Sequence, residues 1–293
     1  MTGVMNIVFG GLFHAAVLFL VASGLQLVFG VQKIINLACG SFYALGAYFG
    51  ITAFNVATSY GLPATMFLPA LIISGIVAGL IGIPIERLFR TIYKRDESYQ
   101  LLFTFGLLLV FQDVFRFFWG GTPRTMDSAY LVYGKINLFG VQMPTYNILV
   151  IAASVLIALG MGHFLKHSAT GRIIRAIAEN RNMTEGLGVN ASKVFALVFA
   201  AGCMLGTIGG ALVVPASAAS LDMAAELAIE SFAVIVIGGL GSMRGALAGA
   251  LVVGLVRGAA ISWWPEVELL AVYLILVAVL VFRPAGLFGK RTV

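Results

Sequence analysis

The sequence predicts an all-α, polytopic transmembrane helix bundle of about eight or nine spans. Three observations carry that prediction. Hydrophobic residues make up 60% of the 293-residue chain and charged residues only 10%, against about 25% charged in a soluble domain. The mean hydropathy of +1.02 leaves too little polar surface to coat a globule in water. The apolar residues also fall in runs long enough to cross a bilayer, which takes roughly 20 residues per helix. The 35 glycines suit the close backbone packing of membrane helices.

Nine apolar runs, punctuated by turn residues and charges, lie at roughly 6–30, 37–57, 63–85, 98–119, 146–166, 193–215, 226–240, 244–262 and 267–283. Hydrocarbon offers backbone N–H and C=O groups no water, so each run is expected to be helical. The stretch from Met1 to Asn6 carries no positive charge and the first basic residue is Lys33. The first run is therefore expected to be a mature helix rather than a cleaved leader. The seventh run ends in Gly238-Gly239-Leu240-Gly241 and is short enough to be either a full span or a re-entrant half-helix.

Orientation follows from the basic residues, which collect in cytoplasmic loops. Fourteen of the 18 lie in one set of loops: Lys33; Arg87, Arg90, Lys94 and Arg95; Lys166, Arg172, Arg175, Arg181 and Lys193; Arg244; and Arg283, Lys290 and Arg291. The opposite loops hold Arg124 and Lys135, with Arg116 and Arg257 near span ends. The N-terminus is thus expected outside and the C-terminus in the cytoplasm. The chain reads as one transmembrane domain over 1–293, with polar stretches at about 119–145 outside and 167–192 inside. Each has room for a short helix or hairpin, and neither could bury a core of its own.

The net charge of +6 is then a topology signal, and no nucleic-acid partner is expected. Cys39 and Cys203 sit in apolar surroundings. Two cysteines supply neither a disulfide framework nor a four-ligand metal site. No phosphate-binding loop, nucleophile elbow or zinc-protease motif occurs. No span carries paired acids or an arginine ladder, as a proton relay or voltage sensor would. The chain is not expected to be an enzyme, and energy for any uphill transport would enter from another subunit.

Several features carry a local reading. Gly202, Gly206 and Gly210 recur every four residues, as do Gly241, Gly245 and Gly249, and Gly46 pairs with Gly50 and Gly75 with Gly79. That spacing puts them on one helix face, where backbones can approach. Arg172 to Gly186 reads as one amphipathic helix, with Ile173, Ile174, Ile177 and Ala178 on one face and Arg172, Arg175, Glu179 and Asn182 on the other. Gly186 and Gly188 stop it. Such a helix can lie on lipid headgroups or dock on a soluble partner. Asp113 and Arg116 are spaced to pair along one helix. Glu230, with Glu226 one turn earlier, is expected at the outer interface or in an outer vestibule, and His14 as a buried, hydrogen-bonded histidine. For a pathway, the start of the second span offers Asn36, Gly40, Ser41 and Tyr43: polar groups beside glycine-opened space, able to partner an ammonium and a carboxylate without a fixed charge. Helix capping and packing would explain the same residues.

One stretch closely resembles a known family. Leu27 to Gly30 (Leu-x-Phe-Gly), Ile35 to Gly40 (Ile-Asn-x-Ala-x-Gly) and Leu45 to Tyr48 (Leu-Gly-Ala-Tyr) match the opening of the branched-chain amino acid permeases of ABC importers, in the Liv H-type half. Cys39 departs from the polar residue expected there. Thr104-Phe-Gly-Leu with Trp119 to Pro123, the 171–188 stretch, and Gly238 to Gly245 resemble three further segments of that family in the same order. The resemblance implies a coupling segment over 167–192 that seats in an ATP-binding subunit, with Gly171, Arg172, Arg175, Ala176, Glu179, Asn180, Gly186 and Gly188 at matching places. It implies two cytoplasmic ATP-binding subunits that use ATP and Mg, a second homologous permease, an external solute-binding protein and a bacterial inner-membrane location, with no cofactor on this chain. A cargo such as urea or a short amide fits the same architecture. A passive channel or secondary carrier fits the helix count but leaves the 171–188 match unexplained.

Overall fold

The structure, a computed structural model, describes residues 2–93, 95–126, 130–138, 141–283 and 285–288. Lys94, Lys290 and Arg291 of the basic loops lie outside the described residues. Each of the nine apolar runs is helical. In chain order the helices are α1 (Thr2–Gln32), α2 (Cys39–Ser59), α3 (Phe67–Gly79), α4 (Gly82–Phe89), α5 (Glu97–Trp119), α6 (Thr145–His167), α7 (Ala169–Glu179), α8 (Arg181–Gly186), α9 (Ala191–Val213), α10 (Met223–Gly238), α11 (Met243–Trp263) and α12 (Glu268–Phe282).

Among the described residues, seven stretches are long and apolar enough to cross a membrane: Met5–Gln32, Phe67–Phe89, Glu97–Trp119, Thr145–His167, Ala191–Val213, Met243–Trp263 and Pro265–Phe282. The other two expected spans are α2, with 21 residues, and α10, with 16. At 1.5 Å per residue α10 reaches about 24 Å, short of a hydrocarbon core of ~30 Å. It can be short because it is wrapped in protein, packing on α1, α2, α11 and α12. The core is built from α1, α2, α9, α10 and α11, while α5, α6 and α12 form the rim. The rim helices turn Leu102, Phe117, Leu156, Leu159, Leu274 and Val281 outward, as a lipid-facing surface requires.

The glycine spacing does its work where α2 crosses α9. A Cβ on Gly46 would run into the Thr207 carbonyl, and one on Gly210 into the Tyr43 carbonyl. Backbones that close tolerate only glycine. Thr207 Oγ1 donates to the Gly75 carbonyl at 2.6 Å, fastening α3 to the same seam. Gly241, expected in a helix stripe, instead lies in the α10–α11 turn with φ +86°.

The stretch expected outside holds a hairpin, Lys135–Leu138 against Val141–Pro144, with Lys135 opposite Pro144. Arg124 and Ala219 exchange backbone hydrogen bonds of 3.0 and 2.8 Å, tying the loops after α5 and α9 together. Near the C-terminus, Leu287 and Phe288 donate their N–H groups to the carbonyls of Ile237 (2.8 Å) and Gly238 (2.9 Å). Those carbonyls end α10 and would otherwise lack partners.

At the basic end, the fully buried Glu86 of α4 accepts from Arg90 Nε at 2.9 and 3.0 Å and from the Tyr93 hydroxyl at 2.8 Å. Arg90 Nη2 also reaches the Ser192 carbonyl at 3.3 Å, bridging to α9. Burial first, then the bond to Glu86, push the Tyr93 hydroxyl well above the ordinary tyrosine range. Because the folded value is raised, the contribution is fully present below the unfolded value of about 10 and fades as pH rises beyond it. Tyr93→Phe is expected to cost about 1 kcal/mol and to flatten the alkaline loss of stability. Thermal melting of the detergent-purified chain at neutral and strongly alkaline pH reads both; an unchanged melt at neutral pH would rule out a stabilising bond.

Candidate functional site

At the basic end α6 turns sharply into α7. Ser168 caps the new helix, its Oγ accepting from the Gly171 N–H at 2.8 Å. A Cβ on Gly171 would meet the Phe164 and Leu165 carbonyls at 2.5 Å, so the tight corner requires glycine. Arg172 Nη1 and Arg175 Nη2 donate back to the His167 and Lys166 carbonyls at 3.1 and 3.2 Å, satisfying the end of α6. Ile174 and Ile177 are buried against Leu27, Val31, Phe195 and Val198. Arg172, Arg175, Ala176 and Glu179 remain exposed.

The single amphipathic helix expected over Arg172–Gly186 is two helices. Asn180 takes extended backbone (φ −148°, ψ 99°), and its side-chain oxygen accepts from the Met183 N–H at 3.0 Å, so it begins α8. Ile173, expected on the apolar face, is exposed. Gly188 makes the following turn at φ +86°. Gly186 closes α8 with open space where a Cβ would stand, so the turn does not depend on it. Arg181 pairs with Glu185 at 2.9 Å and lies over the Phe195 ring at 5.0 Å. Met183 and Leu187 are 71% and 81% exposed, which leaves an apolar tip beside the charged face of α7.

Two cavities flank this framework. One, of 480 Å³, lies at the basic end between α1, α7 and the α10–α11 turn, with Gln26, Lys33, Arg175 and Glu179 on its walls. Gln26 donates to the Gly239 carbonyl at 3.1 Å, and its own carbonyl oxygen is buried without a partner. The other, of 270 Å³, lies in the opposite half of the bundle and is lined by His14, Tyr43, Tyr130, Asn147, Ser217 and Arg257 among others.

Arg257 of α11 is the central charge of that half. Its Nη1 bonds Glu230 Oε2 at 2.8 Å and its Nε bonds Glu268, so one guanidinium joins α10, α11 and the start of α12. Glu230, expected at an interface, is buried on the inward face of α10. His14, expected to be hydrogen-bonded, meets the Phe13 ring edge-on at 5.7 Å and has no hydrogen bond among the described residues. Asp113 and Arg116, expected to pair, are both exposed and form no ion pair among the described residues; Phe111 and Phe115 face the core instead.

The four pathway residues do not converge. Asn36 Oδ1 accepts from the Ala38 N–H at 3.0 Å, shaping the turn into α2. Gly40 abuts the Ala224 carbonyl of α10. Ser41 is fully buried with its hydroxyl unpartnered. Tyr43 alone lines the 270 Å³ cavity. Sequence reading missed Asn147 and the role of Arg257. Its one usable signal was a buried-span acid, Glu230, in a chain where such a charge needs a counter-charge.

A helical bundle with a docked amphipathic segment at its basic end and a polar cavity in its other half is a multi-pass membrane permease. The chain belongs to the family described as branched-chain amino acid transport system / permease component, which matches residues 7–280. It is similar to the high-affinity branched-chain amino acid transport system permease protein BraD of Pseudomonas aeruginosa, 28% identical over 282 residues, covering 94% of this chain and 92% of that one. The permease LivH of the same description from Salmonella typhimurium is 27% identical over 293 residues, covering 97% and 95%. The ribose import permease protein RbsC of Haemophilus influenzae is 24% identical over 204 residues, covering 66% and 61%. No solved structure matches.

Proposed function

We propose that this chain is the membrane permease subunit of an ABC importer carrying branched-chain or related amino acids across the bacterial inner membrane. The observation that carries the reading is the α7–α8 segment, in a chain of the BraD and LivH family. Its apolar face is seated on the bundle and its charged face is exposed. Two cytoplasmic ATP-binding subunits, a second homologous permease and an external solute-binding protein complete the machine, and ATP and Mg belong to the ATP-binding subunits. Nucleotide-driven closure carries α7 and α8 with it. Because α6 runs directly into α7, and Ile174 and Ile177 sit against α1 and α9, the displacement passes to those helices. Such coupling needs two states with different contacts at both ends. Arg172, Arg175 and Glu179 supply the charged contacts, and Gly188 the turn.

Arg175→Glu is expected to abolish ATP-driven uptake, by more than tenfold, while membrane insertion and the melting profile stay near normal. The cost of losing one exposed bond to the Lys166 carbonyl is only about 1 kcal/mol. Uptake at the normal rate would exclude an essential electrostatic contact there. Mild-detergent purification tests the assembly: an ATP-binding subunit and a second permease should co-purify. Transport by the chain alone in liposomes without ATP would overturn the importer reading.

A further inference from the structure

The α7–α8 segment meets the bundle in two places. One is the apolar face of α7; the other lies under α8. Of the six residues of α8 only Thr184 is buried, and Met183 and Leu187 stand exposed at its tip. A helix that short has little stability of its own, so its place depends on what it touches. Arg172 and Arg175 spend their guanidinium groups on the last carbonyls of α6. Arg181 instead reaches a spanning helix: its guanidinium lies over the Phe195 ring of α9, 5.0 Å from the ring centre.

Phe195 is a firm target. It is buried in the same cluster as Ile174 and Ile177. The Tyr93 ring meets it edge-on, with centroids 5.3 Å apart and planes at 89°, and Tyr93 is itself held by its hydroxyl bond to the buried Glu86. Gln32 Nε2, at the end of α1, donates to the Phe195 carbonyl at 3.0 Å. The ring is thus braced from α1, from α7 and from the loop after α4. A cation is attracted to the face of such a ring. Arginine can lie flat on it and still donate to a carboxylate, and Arg181 does both: its Nε bonds Glu185 Oε1 in the same helix at 2.9 Å.

We propose that Arg181 is a positioning residue for energy coupling: through the Phe195 ring it carries the displacement of α8 to the foot of α9. The isoleucines of α7 deliver their push to the same foot. The inference rests on the importer reading above and gives α8 its own route into the bundle.

The test uses the whole reconstituted importer in proteoliposomes, with its solute-binding protein, and reads uptake of radiolabelled leucine against ATP hydrolysis as a ratio. Arg181→Met keeps an apolar stem over the ring and drops the guanidinium. Glu185 is exposed and stays in water, so the variant should fold. It is expected to lower the leucine carried per ATP hydrolysed about fivefold, the low end of a coupling free energy, while ATP hydrolysis continues and the ATP-binding subunits still co-purify. Phe195→Leu keeps apolar bulk but removes the ring, and is expected to lower the ratio at least as far. The double variant should fall no lower than Phe195→Leu alone, because both changes remove one contact. A merely structural role would lower uptake, ATP hydrolysis and co-purification together and leave the ratio where it was. An unchanged ratio in Arg181→Met, or losses that multiply in the double variant, would overturn the proposal. If the unmodified importer shows no ATP-dependent leucine uptake, the importer reading fails and takes this inference with it.

Discussion

Arg257→Met is expected to cost about 3–5 kcal/mol, because it strands the buried Glu230 without its counter-charge. The pair itself need not be strongly stabilising. Taking both charges out of water is expensive, and their attraction offsets much of that only while both are present. The prediction is therefore sharpest as a cycle. Glu230→Gln removes the stranded charge, so the double variant Arg257→Met/Glu230→Gln is expected to be more stable than Arg257→Met alone. Melting of the four proteins in mild detergent gives the coupling energy. Strictly additive losses would mean that Glu230 and Arg257 do not act as a pair. Glu268 complicates the cycle only slightly, since it is partly exposed and can turn toward water.

Gly210→Leu is expected to prevent folding of the α2–α9 pair altogether. The first carbon added at Gly210 meets the Tyr43 carbonyl, part of the backbone of a buried helix, and backbone cannot step aside as a side-chain tip can. Even Gly210→Ala is expected to cost about 1–3 kcal/mol through overpacking. The contrast lies one turn away: a Cβ on Gly206 would stand 3.6 Å from the Phe42 Cβ, an ordinary contact, so Gly206→Ala should be nearly neutral. Yield and monodispersity on size-exclusion chromatography separate the two. Equal behaviour of Gly206→Ala and Gly210→Ala would show that the close crossing is not what holds these helices.

The helices were legible because their signal is thermodynamic and local. Apolar runs in a chain with 10% charge can only be spans or their close relatives, and all nine became helices. The glycine stripe at 202–210 was legible for the same reason, since four-residue spacing fixes one face. What sequence spacing does not encode is which face meets which neighbour. Asp113 and Arg116 are correctly spaced to pair, yet rotation of α5 buries Phe111 and Phe115 and turns both charges out. Glu230 finds Arg257 across 27 positions, and no local pattern announces that. The break at Asn180 was partly visible. Asparagine is among the best helix caps, and within an amphipathic run that preference outweighed continuity. Of the pathway residues, only Tyr43 pointed toward the cavity; Asn36 and Gly40 have adequate structural reasons of their own.

The contact between Gly210 and the Tyr43 carbonyl has a mechanical meaning. Two helices whose main chains touch cannot slide past one another, because neither has compliant side chains at the point of contact to take up the shear. The second and ninth helices must therefore rock as one beam. The ninth is 23 residues long, about 35 Å end to end, and its foot carries Phe195 and Val198, the pad on which Ile174 and Ile177 of α7 rest. Tyr43 rides at the far end of that beam, on the wall of the cavity. If α7 carries the proposed coupling role, a push delivered at one membrane face would arrive at the other as a movement of the cavity wall, with no chain of side-chain relays in between.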